Sequence, residues 1–323
     1  MAAFKVLSPG LSTTIQDLGR ERCLDLGIPV GGAADVFSHR IANAVLANEP
    51  SAATLEMMLI GPRLEALEEA DIAVAGADMH FQINGAEAAM GHALQLKTGD
   101  VISFGKARRG CFGYLAVRGG FAGAQVLGSR STYVAGRLGG HFGRALHGRD
   151  RLASLAVSSV DSWTADDELL SWPLQHERLR FVRGPQPEYF TEAAYRTFVS
   201  EPYTVSPRSN RMAYRLTGPA LEVVSTPRTM DTGSGPTDII EDGNAVGAIQ
   251  IAGGIEPICM GRDCPTSGAY AKIGCIITPD VSRMSQMQPG DTFQFEEVSV
   301  DEAYDISAQV TAAIEAFGQT RAR

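Results

Sequence analysis

Glycine occurs 35 times in this chain without a fixed period, and many of these glycines punctuate short strand-like runs. That pattern excludes a collagen repeat and predicts many tight turns, because glycine enters left-handed turn conformations without steric strain. Met79, Phe81 and Ile83 alternate with other residues and lead into Asn84-Gly85, a strong hairpin signal. Gly99-Asp100-Val101-Ile102-Ser103-Phe104 reads as a turn followed by a strand, and Gly290-Asp291-Thr292-Phe293-Gln294-Phe295 repeats the grammar. Leu59-Ile60-Gly61-Pro62-Arg63-Leu64-Glu65 recurs as Leu216-Thr217-Gly218-Pro219-Ala220-Leu221-Glu222, identical at five of seven positions. Ala116-Val117-Arg118-Gly119-Gly120-Phe121 is echoed more faintly by Gln250-Ile251-Ala252-Gly253-Gly254-Ile255. Together the echoes predict two related β-rich lobes, over 1–157 and 178–323. The polar, acidic stretch 158–177, with Asp161, Asp166, Asp167 and Glu168, is expected to join them.

Three helices are expected. Asp35 can cap a helix that ends at Asn48-Glu49-Pro50 and buries Phe37, Ile41 and Val45. Pro187 to Ser200 places Phe190, Ala194 and Phe198 on one face. Ser299-Val300-Asp301-Glu302 is a capping box for a terminal helix that Gly318 is expected to close.

Several function classes fall away. A formal charge of −9 disfavours a nucleic-acid platform, though Arg108-Arg109, Arg130 and Arg144 allow local basic pockets. No run approaches the ~18 apolar residues of a membrane span, and the first residues lack the apolar core of a secretion signal. Five scattered cysteines without a CxxC fit reduced thiols in the cytoplasm. The histidines form no i,i+4 pair, so no metal is expected. A phosphate-binding GxxxxGK[ST] loop, a GxGxxG turn after a strand, a GxSxG elbow and a Met-Lys-Met biotinylation sequence are all missing.

The candidate chemistry lies in three places. In Thr13-Thr14-Ile15-Gln16-Asp17, with Arg20, the residues fit a strand running into an Asp-stabilised turn. They equally fit a site where Gln16 and Asp17 bind an amide and Arg20 grips a carboxylate. Gly128-Ser129-Arg130-Ser131-Thr132 fits an anion nest built from N–H groups, hydroxyls and Arg130. Asn43, on the expected exposed side of its helix, and Arg144 are free to join a ligand there. In the second half, Asp263, Thr266 and Tyr270 follow the strand carrying Gln250, as pocket wall or as ordinary β-turn.

The order of motifs resembles one family. Thr13-Thr14-Ile15-Gln16-Asp17-Leu18-Gly19-Arg20, Gly27-Ile28-Pro29, Leu127-Gly128-Ser129-Arg130-Ser131-Thr132, Gly139-Gly140, Gly247-Ala248-Ile249-Gln250 and Gln288-Pro289-Gly290-Asp291 carry the likeness. The family is that of the 5-oxoprolinase C-component. It is also described as allophanate hydrolase subunit 2, as the antagonist of a sporulation-kinase inhibitor, and as a biotin-dependent carboxyltransferase domain. The chain departs from it where the family usually reads Asp-x-Gln-Thr-x-Gly-Gly-Tyr, since Pro265 and Ala269 replace a Gln and a Gly.

The resemblance implies a mainly β fold with a few helices, built as two cyclophilin-like β-barrel lobes. It implies ATP-dependent opening of 5-oxoproline to glutamate within a complex. The implied partners are a 5-oxoprolinase B-component-like protein and an A-component of the LamB/YcsF type. On that reading Gln16, Asp17, Arg130 and Asp263 are the expected catalytic residues. Arg20, Asn43, Ser129, Ser131, Thr132, Arg144, Gln250, Thr266 and Tyr270 are the expected substrate-binding residues. Two other readings stay open. One is the carboxyltransferase half of a biotin-dependent urea or amide carboxylase, with biotin carried by another chain. The other is a non-catalytic regulatory module.

Overall fold

The computed structural model describes residues 2–155, 163–175, 177–224 and 235–319. Part of the expected joint, 158–162 and 176, therefore lies outside the described residues. The chain divides into two compact units. One comprises Met1–Glu21, Gly31–Leu174 and Thr311–Arg323, and the other Arg22–Val30 and Gln175–Val310.

The first unit holds strands β1 (Ala2–Ser8), β2 (Ser12–Gln16), β3 (Thr54–Met58), β4 (Arg63–Ala66), β5 (Ala70–Asp78), β6 (Gln82–Ile83), β7 (Ala86–Glu87), β8 (Leu94–Leu96), β9 (Val101–Ser103), β10 (Arg109–Val117) and β11 (Arg151–Ala153). They pair as a six-stranded sheet, β11-β1-β4-β9-β6-β7, and a five-stranded sheet, β2-β3-β10-β5-β8. Phe4, Val6, Leu64 and Ile102 from the first sheet and Ile15, Leu55, Val74 and Leu115 from the second share one core. The Asn84-Gly85 hairpin joins β6 to β7 as expected, with φ of 53° and 83° at its two central residues. Positive φ at both is what a type I′ turn requires.

Strand β10 is buried along nearly its whole length, so both of its faces are covered. Helix α1 (Val36–Val45) packs on β5 and β10. Asp35 caps it by accepting the Ser38 N–H at 2.9 Å. Beneath the helix start, Tyr114 Oη accepts the Asp35 N–H and donates to Glu56 Oε2, both at 2.8 Å. Glu56 Oε2 also accepts the Ala34 N–H at 2.7 Å. Burial, with the Glu56 and Asp35 carboxylates nearby, holds the Tyr114 phenol well above its usual range, so it stays a donor.

The second unit holds β12 (Arg178–Arg183), β13 (Tyr203–Val205), β14 (Ala213–Thr217), β15 (Asp238–Gly243), β16 (Ala248–Ala252), β17 (Glu256–Met260), β18 (Ser267–Tyr270), β19 (Lys272–Ile276) and β20 (Thr292–Glu297). Seven of these close a barrel in the order β12-β19-β16-β17-β14-β13-β20, while β15 and β18 form a separate two-stranded ribbon. Closure leaves the barrel without an open edge. Its core is aromatic: the Phe198 and Phe295 rings stack with centroids 4.2 Å apart, and Phe181 meets Phe295 edge-on at 5.9 Å. The mainly β expectation thus holds, with one closed barrel and two further sheets.

Helices α2 (Asp167–Ser171), α3 (Glu192–Ser200), α4 (Thr278–Ser285) and α5 (Val300–Gln319) complete the set. The helix expected from Pro187 is broken. Pro187–Tyr189 forms a 3-10 turn, and Thr191 restarts the chain as the cap of α3 by accepting the Ala194 N–H. The Ser299 capping box forms reciprocally, but α5 runs past Gly318 to Gln319. Helices α2 and α4 were not expected. The second starts on Thr278-Pro279, where proline suits a first turn, and its fully buried Asp280 takes the Arg180 guanidinium at 2.6 and 2.9 Å. The Gly119-Gly120 and Gly253-Gly254 echo has a shared cause: each pair ends a strand, β10 or β16, with both glycines at positive φ. No described helix is long and apolar enough to cross a membrane.

Removing the Tyr114 hydroxyl strands the Asp35 N–H and takes a donor from buried Glu56. Tyr114→Phe is expected to cost about 1–3 kcal/mol of stability, read as a lower denaturant midpoint at unchanged slope. An unaltered midpoint would show that the network carries no net stability.

Candidate functional site

The first-unit candidates gather where β2 ends, but they mostly face one another. Asp17 Oδ1 accepts from Gly19 N (2.9 Å), Ser129 Oγ (2.6 Å) and Ser131 Oγ (2.5 Å), and Oδ2 accepts from Arg130 N (2.6 Å). The nest foreseen for an external anion therefore holds the protein's own carboxylate. Thr132 Oγ1 donates to Ile15 O at 3.0 Å. Arg20 is 1% exposed and donates to Val126 O and Ser131 O, so its fork is used on backbone carbonyls. Gln16 is buried, with Nε2 on Thr14 Oγ1 and Thr132 O.

Two expectations need correction. Asn43 does not lie on an exposed face: it is fully buried, donates to Ala52 O at 2.8 Å and accepts from Asn48 Nδ2 at 3.0 Å. Helix α1 is covered on the side that the sequence pattern left polar, because the Asn48 loop folds back over it. Arg144 is not open to a ligand carboxylate, since its fork grips Asp150 at 2.7 and 2.9 Å. That guanidinium, helped by the His147 N–H and by His141, holds the Asp150 carboxyl well below its usual range.

The second unit carries a cavity of about 280 Å³. Its floor comes from the strict alternation of β16. Ile249 and Ile251 fill the barrel, so Gln250 points the other way. Gln250 is 4% exposed and donates through Nε2 to Asn244 Oδ1 at 2.8 Å. Asn244 in turn donates its Nδ2 to Pro265 O and its N–H to Thr266 O. A buried amide pair is thereby fixed in orientation. Gly268 of β18 lies directly over it: a Cβ there would fall 2.4 Å from Gln250 Nε2, so only glycine lets the ribbon close down.

The walls divide by character. Ala213, Ile258 and Met260 are apolar, while Arg208 and Arg215 bring charge. Both arginines share Glu256, at 2.5 and 2.9 Å, so the wall carries one positive charge in excess. Pro265, Ala269 and the partly exposed Tyr270 form the far side, which is where the chain departs from the family pattern. Of the four expected second-half residues, Gln250 and Tyr270 line the cavity. Thr266 contributes its carbonyl behind Asn244. Asp263 is held by a bidentate Arg211 at 2.8 and 3.0 Å and fixes the loop that leads to Pro265.

Sequence reasoning missed Asn244, Arg208, Arg215, Glu256 and Lys272. The arginines sit in or beside a Pro207–Asn210 turn that looks like any solvated loop. Lys272 had a signal, a lone lysine in an apolar strand. Its side chain is 4% exposed, it pairs with Asp242 at 2.9 Å, and it stands opposite Gln250 in register. Among the described residues, no group of three or more His, Cys, Asp or Glu could hold a metal.

Asp17 collects donors as an internal hub, so Asp17→Asn is expected to lower stability by about 1.5–3 kcal/mol in a denaturant titration. Unchanged stability would return Asp17 to the list of ligand-binding groups.

A carboxyltransferase domain model, subdomains A and B, matches residues 26–297. The 5-oxoprolinase C-component of Escherichia coli K12 is 32% identical over 93% of this chain and 92% of its own length. Urea amidolyase of Lachancea kluyveri is 31% identical over 97% of this chain, which spans 18% of that much longer protein. The crystal structure of the K. lactis urea amidolyase superposes on 98% of this chain and 20% of its own, with a TM-score of 0.91 at 31% identity. With this fold, this barrel-side cavity and these matches, the chain belongs to the carboxyltransferase domain family of subdomains A and B.

Proposed function

We propose that this chain is one component of an ATP-dependent 5-oxoprolinase complex and that its second-unit cavity binds the cyclic amide. One observation carries the reading: a fixed amide pair, Gln250 and Asn244, shares a small cavity with two arginines that have a single carboxylate between them. 5-Oxoproline offers a lactam for the amides and a carboxylate for the arginines. The apolar wall of Ala213, Ile258 and Met260 suits the ring methylenes and keeps water from the lactam face. The likeness to a 5-oxoprolinase C-component over nearly its whole length supports the same reading.

The described residues do not fit a nucleotide. The cavity is smaller than the ~300–1,000 Å³ typical of drug-sized ligands, and the nest at Ser129–Thr132 is filled by Asp17. We therefore place ATP on a partner. A B-component-like protein and a LamB/YcsF-type A-component complete the proposed complex, in the cytoplasm. This chain's share is to bind and orient the lactam.

A second reading has its own support. The urea amidolyase likeness favours a carboxyltransferase role, in which the same amide pair would hold a ureido group delivered on another chain.

The test is reconstitution with the two partner proteins. Glutamate should form from 5-oxoproline only when ATP is present. Gln250→Ala should lower kcat/KM by about tenfold to a hundredfold while melting stays near wild type, as loss of one buried polar contact predicts. Turnover of urea or an amide with carboxybiotin, and none with 5-oxoproline, would select the second reading.

A further inference from the structure

The first unit retains one cationic side chain that the internal network leaves incomplete. Arg130 is fixed by its backbone, with its N–H on Asp17 Oδ2 at 2.6 Å. Its Nε is buried and has no hydrogen-bond partner among the described residues. A stranded buried donor costs about 1–3 kcal/mol, and native structures satisfy such groups with water or with a ligand.

The surrounding loop is rigid, so the side chain gains nothing by flexibility. Ser131 N donates to Ser129 Oγ at 2.9 Å, and Val126 and Ser129 exchange backbone hydrogen bonds. Gly139 and Gly140 pack so closely on this loop that an added Cβ would lie 2.3 Å from Ser131 O and 2.0 Å from Thr132 Oγ1. Leu127 is held at a φ of 52°, a conformation that non-glycine residues adopt only at a cost.

Charge points the same way. Asp17 is matched by Arg20, whose guanidinium hydrogen-bonds Ser131 O on the same loop. Arg130 is then a second cation on that loop, so this local group carries one positive charge more than it cancels. The chain as a whole is acidic, with a formal charge of −9, which makes a retained, unsatisfied cation a local feature rather than a general one.

We propose that Arg130 is the anchor of an oxyanion-binding site in the first unit, separate from the second-unit cavity. Its ligand is a small carboxylate or phosphoryl group that accepts from the Nε–H together with a terminal N–H, the two-point geometry of a guanidinium fork. This site does not depend on which reaction the family member performs, so it stands or falls apart from the 5-oxoproline reading.

The test is a titration of the full chain followed through its arginine Nε–H resonances by ¹⁵N–¹H correlation. Arg130→Lys identifies the Arg130 signal by its loss. Acetate and inorganic phosphate are added separately at constant ionic strength, with chloride as the control. The Arg130 resonance should shift saturably with at least one of the two, and not with chloride. A shift with acetate alone assigns a carboxylate ligand, and one with phosphate alone assigns a phosphoryl ligand. In parallel, calorimetric titration of the responding anion should show Arg130→Gln binding at least about tenfold more weakly than wild type. Arg130→Lys should keep part of the affinity for phosphate and less for acetate, since it lacks the planar fork. An Arg130 resonance that ignores both anions, or equal affinity in wild type and Arg130→Gln, would overturn the proposal and leave the Nε–H to an ordered water.

Discussion

Gln250 is an amide buried on the outside of a closed barrel, and the proposed site depends on how that amide is satisfied. The pleat of β16 forces it outward, because its neighbours Ile249 and Ile251 are needed in the core. A buried amide must then find partners, and Asn244 supplies one. Asn244 is oriented in turn by the Pro265 and Thr266 carbonyls. The ribbon of β15 and β18 closes over the pair only because Gly268 has no side chain. The cavity is thus a consequence of one alternation, one amide pair and one glycine.

The two units use similar residues toward different ends. In the first, hydroxyls, N–H groups and a carboxylate meet and neutralise one another around Asp17. In the second, an amide pair and two arginines surround open space. A buried polar cluster that is fully satisfied rigidifies a fold. One that keeps unused capacity facing a cavity is suited to recognition.

Much of the fold was legible because turns and caps are local. Asn84-Gly85 demanded a type I′ hairpin, Asp35 a helix start and Ser299-Glu302 a capping box, and each formed. The break at Thr191 was not legible, because Phe190, Ala194 and Phe198 keep helical spacing across it. The candidate site was harder. Ser129, Arg130, Ser131 and Thr132 have the composition of an anion nest, and composition cannot say whether the anion comes from a ligand or from Asp17, more than a hundred residues away in sequence. Arg208 and Arg215 gave no signal, since only the pairing of β14 with β17 brings Glu256 to them.

The central claim is that the Gln250 cavity holds a cyclic amide carrying a carboxylate. The most direct measurement is a crystal structure of the assembled complex with 5-oxoproline. The account predicts the lactam against Gln250 and Asn244, with its carboxylate toward Arg208 and Arg215. Ligand density elsewhere in the complex, with this cavity filled only by solvent, would contradict it.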